Sequence, residues 1–287
     1  MKIVGEIERV RRPSVEEFRE RFLLPQRPAV IAGAIDDWRA CRDWSADSFI
    51  RRHGKQVVKV VRVDKAAGGR FADNMRQDEI QLADYMALFS APGDEPPEIY
   101  MGGVAVRDFP GLLGDLGYPV YLDKPGVPPY FWIGIRGAKT KLHYDLQDNV
   151  HVLITGHKRV FLADREHLRN LYPVPLLRRR WYLHPVSPFN VNRIKSRVDI
   201  EQPDYRTFPR LRKVEVVQAE ICSGDMLYIP SCWWHELHSL ESSIAVNYWW
   251  RGEPSAPQFR RAMRFVHWER FVAAVRRRLP GAASRGG

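Results

Sequence analysis

The chain has 287 residues, 45% hydrophobic and 28% charged, which is long enough for a real core and too apolar for a disordered protein. Its 45 Lys and Arg against 34 Asp and Glu leave a net charge of +11, favouring acidic partners such as nucleic acid, an anionic peptide or anionic lipid without choosing among them. No apolar run approaches the ~20 residues of a membrane span, Met1–Arg12 lacks a signal-peptide core, and Cys41, Cys222 and Cys232 make no disulfide framework, so a cytoplasmic protein with no membrane partner is expected.

In chain order, Val15–Phe22 has helical spacing, Ala29–Gly33 is an apolar run, and Trp38 and Trp44 mark a turn. The valines of Gln56–Val63 predict a strand, Leu82–Phe89 a helix, and Ala91–Pro97 a loop. From Tyr130 the pattern changes to short β-rich runs: Tyr130–Ile135, Leu142–Ile154, Arg159–Ala163, Val214–Ile221, Met226–Ile229 and Ile244–Trp250. Turns at Gly156 and Gly224 and few helices between these runs predict a sandwich or barrel. Between Val174 and Arg197, Pro175, Pro185 and Pro188 disfavour regular structure and predict a loop. There Arg178, Arg179, Arg180 and Trp181 interleave cations with an aromatic ring, the make-up of a substrate-facing lid or of a solvated basic loop. Beyond Pro257, the stripe Phe265, Trp268, Val272, Val275 and Leu279 predicts one amphipathic helix, either docked on its own chain or forming a homodimer seam.

His143-Tyr144-Asp145 lies in a β-like run, where side chains alternate, so His143 and Asp145 project to one face with Tyr144 opposite. His235, after the strand and turn of Gly224–Trp234, supplies a distal third ligand. Two imidazoles and a carboxylate make the facial triad of non-haem Fe(II) oxygenases, which leaves three open positions. An ordinary His–Asp ion pair is the competing reading. A zinc reading also competes, because Cys232-x-x-His235-x-x-His238 has acceptable ligand types, although residues three apart share a face only on a helix. Lys158 follows the turn at Gly156 and can point back toward the His143 face, or lie solvated at the turn. A buried ammonium beside a metal is a natural counter-ion for the far carboxylate of a dicarboxylic acid. Thr140, Asn149 and Asn247 are polar residues in apolar strands, where an unmade hydrogen bond costs about 1–3 kcal/mol, so they need cross-strand partners or a small polar ligand. His151, His157 and His167 read as surface or packing histidines, with His151 sharing the parity of His143 and so a candidate for the pocket wall.

Thr140–Asp164, Val198–Pro209 and Gly224–Trp250 together resemble the cupin-like JmjC family of Fe(II)- and 2-oxoglutarate-dependent hydroxylases, which includes an asparaginyl hydroxylase and a tRNA wybutosine hydroxylase. The similarity is strong over Tyr100–Trp250 and loose before it. It implies a mainly β fold, a double-stranded β-helix (jelly-roll) core with N-terminal α/β elements and a C-terminal helix. Residues 1–254 would be one catalytic domain (elements 1–99, core 100–254 with a lid insertion 174–197) and 255–287 the helix and tail. It further implies Fe(II), 2-oxoglutarate and O2, with oxidative decarboxylation to succinate coupled to hydroxylation of a C–H bond. His143, Asp145 and His235 would bind iron, while Lys158, helped by Thr140 and Tyr100, would hold the distal carboxylate. Asn149 and Asn247 would stand beside the cosubstrate, and Trp249 would be an aromatic of the substrate pocket wall. Gly102 and Gly103 replace bulkier residues of the asparaginyl enzyme, so asparagine specificity does not transfer. A peptide or protein side chain is the expected substrate. A tRNA or other nucleic acid, a small molecule, and a metal-free cupin binding module are the alternatives.

Overall fold

A computed structural model describes residues 1–63, 75–91, 99–122, 128–174, 193–250, 260 and 264. The first strands are β1 (Lys2–Glu6), β2 (Arg9–Arg11) and β3 (Ala29–Ala32), with α1 (Val15–Phe18) and a π-helical turn, Arg19–Leu23, before the third. The Ser14 hydroxyl starts α1 by accepting the Glu17 N–H, one of the donors that a helix start leaves unpaired. Then come α2 (Arg39–Asp43), α3 (Ala46–His53) with a Ser45/Ser48 capping box, β4 (Val57–Val63), β5 (Met75–Gln81), α4 (Leu82–Ser90) and β6 (Ile99–Ala105).

The remaining strands are β7 (Tyr130–Gly134), β8 (Lys139–Asp145), β9 (Asp148–Thr155), β10 (His157–Ala163), β11 (Arg193–Lys195), β12 (Glu215–Cys222), β13 (Met226–Ile229), β14 (Trp234–Ser239) and β15 (Ser243–Trp250). They divide between two sheets. One runs β12-β10-β14-β8 and the other β13-β9-β15-β7, every neighbouring pair antiparallel. This is the double-stranded β-helix the sequence predicts. The N-terminal elements extend it: β1 adds parallel to β12, β2 and β3 continue the second sheet beyond β13, and β6, β4 and β5 continue it beyond β7. The helices cover the outer face of that second sheet, where Phe18, Trp44, Phe49, Tyr85 and Phe109 pack on Phe131, Val152 and Val246.

Two expectations change. The run Leu142–Ile154 is two strands, because Leu146 and Gln147 turn the chain from one sheet into the other. The end of the predicted loop is also ordered as β11, an edge strand that pairs with β8 and places Ile194 in a core with Tyr144 and Trp234. The rest of that loop, with Arg178, Arg179, Arg180 and Trp181, lies outside the described residues, as does the helix predicted over Phe265–Leu279. Among the described residues, no helix is long and apolar enough to cross a membrane.

Candidate metal centre

Register brings the first two ligands together: His143 on β8 stands directly across from His235 on β14, with ring centroids 4.1 Å apart. The pairing then slips, Lys141 and Leu142 of β8 opposing Glu236 alone on β14. Such a bulge re-aims side chains. It takes the Leu142 N–H out of the ladder, and that N–H donates instead to the fully buried Glu236 carboxylate at 3.0 Å. Asp145 ends β8, and its carbonyl accepts the N–H of Cys232, a residue at φ +65° in the turn leading into β14. That contact ties the two ligand-bearing segments. One donor atom from each of His143, Asp145 and His235 lies within 4.8 Å of the other two, and all three residues are buried.

The protonation of the two imidazoles follows from their partners. His143 Nδ1 lies 2.7 Å from the Lys141 carbonyl and His235 Nδ1 lies 3.0 Å from the Trp233 carbonyl. A carbonyl only accepts, so each Nδ1 carries a proton, and the neutral form of each ring presents its Nε2 lone pair to the site. The Trp249 indole N–H donates to Asp145 Oδ2 at 3.1 Å, fixing the carboxylate as outer partners of metal ligands do. Two imidazole Nε2 atoms and one oriented carboxylate fit a divalent transition metal that keeps open positions. The zinc reading through Cys232 fails on geometry. His238 projects to the other face of β14 from His235, pairing with Glu236 at 2.7 Å and Glu201 at 3.3 Å. Burial also pushes the Cys232 thiol up to about 12, away from the thiolate zinc requires.

Lys158 enters β10 after Gly156, which sits at φ +92° where an added Cβ would come within 2.4 Å of the Ser242 carbonyl. The turn therefore needs glycine. Lys158 is 1% exposed and has no acidic partner among the described residues, and burial lowers its ammonium to about 7. It pairs in register with Ser239, whose hydroxyl approaches Gly134 together with the Tyr100 ring. Thr140 donates to the Tyr100 hydroxyl at 3.1 Å, so these polar groups share one region of the interior. Gly102 lies under Trp132, where a Cβ would meet the ring at 2.8 Å, so the Gly102 position serves close packing beside Tyr100.

Asn149 and Asn247 meet across β9 and β15, Asn247 Nδ2 donating to Asn149 Oδ1 at 2.8 Å. His151 joins them through Nδ1, 2.6 Å from Asn247 Oδ1. The structure thus unites every described candidate around one interior: His143, Asp145, His235, Lys158, Thr140, Tyr100, Asn149, Asn247 and Trp249. Residue reasoning missed the carboxylate-holding role of Trp249 and the part of Glu236 behind the bulge, since both depend on inter-strand register. His157 pairs with Glu220 at 3.0 Å, and His167 accepts the Glu215 N–H at 3.2 Å, as ordinary packing histidines do.

A jelly roll with a buried histidine–carboxylate–histidine cluster between its sheets defines the class. The chain belongs to the cupin-like domain family, whose profile matches residues 15–256. It is 27% identical over 244 residues to lysine-specific demethylase 8 of Xenopus tropicalis, covering 83% of this chain and 51% of that protein. It is 26% identical over 259 residues to the human bifunctional peptidase and (3S)-lysyl hydroxylase JMJD7, covering 83% and 81%. To human tRNA wybutosine-synthesizing protein 5 it is 25% identical over 260 residues, covering 83% and 76%. The chain spans little more than half the length of its demethylase 8 relatives, 51% in Xenopus and 58% in Danio rerio.

Proposed function

We propose that the chain is an Fe(II)- and 2-oxoglutarate-dependent dioxygenase that hydroxylates a C–H bond of a peptide or protein side chain. One juxtaposition carries the reading: two Nδ1-protonated histidines and Asp145 gather inside a barrel that also buries an ammonium with no acidic partner among the described residues. His143, Asp145 and His235 would hold the iron. Iron bound there would supply dioxygen activation, coupled to oxidative decarboxylation of 2-oxoglutarate to succinate and carbon dioxide. Lys158 would pair with the distal carboxylate, with the Tyr100 and Thr140 hydroxyls beside it. Asn149 and Asn247 would offer amide N–H groups, and Trp249 would keep Asp145 in its ligating orientation.

Relatives named for lysine demethylation and lysyl hydroxylation support a protein side chain as the substrate class. A relative named for tRNA wybutosine synthesis, together with the +11 charge, supports RNA as the second reading. Arg178, Arg179, Arg180 and Trp181 are proposed as substrate contacts, and the C-terminal stripe as a homodimer seam. The test is succinate release from 2-oxoglutarate by the iron-loaded chain, stimulated by peptide or by RNA. Stimulation by peptide alone is expected. RNA stimulation with a steep linear fall of log affinity against log salt would move the substrate class to nucleic acid. Metal-replete, folded protein with no 2-oxoglutarate turnover under either substrate would contradict the activity.

A further inference from the structure

The hydrogen-bonded row His151–Asn247–Asn149 crosses the inner wall of the second sheet, and it has two self-consistent directions. In the first, His151 Nδ1 carries the proton and donates to Asn247 Oδ1, Asn247 Nδ2 donates to Asn149 Oδ1, and the Asn149 amide nitrogen is left over. In the second, every amide is flipped, His151 carries its proton on Nε2, and the Asn149 carbonyl oxygen is left over. The first presents an N–H donor to whatever lies beside Asn149. The second presents an oxygen, which would repel an anion.

Burial decides between them. His151 is 4% exposed, and among the described residues its Nε2 is a buried atom with no hydrogen-bond partner. A buried Nε2–H without an acceptor costs a lost hydrogen bond. Burial and the Lys158 charge also hold the His151 imidazole well below its ordinary pKa, so the ring stays neutral. Asn149 Nδ2, for its part, donates to no described residue.

We propose that His151 is a positioning residue: by donating through Nδ1 it fixes the direction of the Asn247–Asn149 amide pair, so that the pair meets a dicarboxylate cosubstrate with N–H groups. This rests on the reading of the pocket as a 2-oxoglutarate site. It adds a role for a residue outside the metal triad that, by this account, does not touch the cosubstrate itself. The side chain matters as a donor of one proton at one atom, so an asparagine, whose Nδ2 stands where Nδ1 does and can donate to the same oxygen, should substitute for it while a leucine of similar size should not.

The experiment measures 2-oxoglutarate affinity anaerobically by calorimetry on wild type, His151→Leu and His151→Asn, each loaded with Mn(II), together with the imidazole ¹⁵N shifts of the metal-free wild type. The expected result is affinity lowered about 10- to 100-fold in His151→Leu, the size usual for outer-sphere partners, and restored to within about threefold of wild type in His151→Asn. Mn(II) affinity should be equal in all three, and the ¹⁵N shifts should report a neutral ring protonated at Nδ1. Equal affinity in wild type and His151→Leu, equal losses in both variants, or an Nε2-protonated ring would overturn the proposal while leaving the cosubstrate site standing. Wild type that binds Mn(II) but no 2-oxoglutarate would instead overturn the functional reading on which it rests.

Discussion

The two faces of β9 and β15 do opposite things with the same backbone. Outward, Val150, Val152, Ile154, Ile244, Val246 and Tyr248 join one apolar core under the helices. Inward, Asn149, His151 and Asn247 interrupt a second core that contains Leu153, Ala245 and Trp249. Both faces are equally buried, so exposure does not separate them; ligand chemistry does. Buried polar groups are retained only where partners satisfy them, and the proposed function gives those of the inner face a metal and a dicarboxylate as further partners. The outer face should therefore set stability and the inner face binding.

Substitutions can break that division. Phe131, outward on β7, packs between Trp44, Phe49 and Phe109 at ring distances of 5.3, 5.7 and 5.4 Å. Phe131→Ala should cost about 3–5 kcal/mol in denaturant unfolding while the folded fraction binds 2-oxoglutarate as wild type does. Lys158→Met should do the reverse. Cosubstrate binding should weaken by about 2–5 kcal/mol in calorimetry, since the carboxylate loses its buried partner. Thermal unfolding of the metal-free protein should show equal or higher stability, because a buried unpaired ammonium is replaced by an apolar chain. A smaller effect is expected of Trp249→Phe, which keeps the ring and removes the N–H that holds Asp145: iron affinity should fall about 10- to 100-fold with the fold intact.

The acidity of Lys158 sharpens the comparison further. Its folded-state value, about 7, lies below the ordinary 10.5 because burial disfavours the charged form. Between those values the unfolded chain holds a proton that the folded chain lacks, so this residue makes stability rise with pH from about 7 to about 10.5. A bound carboxylate restores the charge. Above pH 7, 2-oxoglutarate binding should take up one proton, and affinity should drop by up to about tenfold per pH unit, as calorimetry in buffers of different ionisation enthalpy would show.

Much of the site is legible in local pattern. The period of two places His143 and Asp145 on one face, and the turn at Gly156 brings Lys158 inward. What local pattern does not carry is pairing between strands. The break at Leu146 and Gln147 moves the chain from one sheet to the other without changing the side-chain parity, so His143 and His151 face the same interior from opposite walls. Parity alone gave His151 a place on the pocket wall but not its neighbours, Asn247 and Asn149. Likewise the slip between β8 and β14, which employs Glu236 as the acceptor of the Leu142 N–H, becomes visible only when the strands are set side by side.

The most direct measurement of the central claim is an anaerobic titration of the metal-free chain with Fe(II) and then 2-oxoglutarate, followed by visible absorption and metal analysis. Stoichiometric iron should bind, and a weak charge-transfer band should grow only when 2-oxoglutarate is added. Asp145→Ala, folded as judged by circular dichroism, should show neither. Folded wild-type protein that takes up no iron, or takes it up and develops no band with 2-oxoglutarate, would contradict the account.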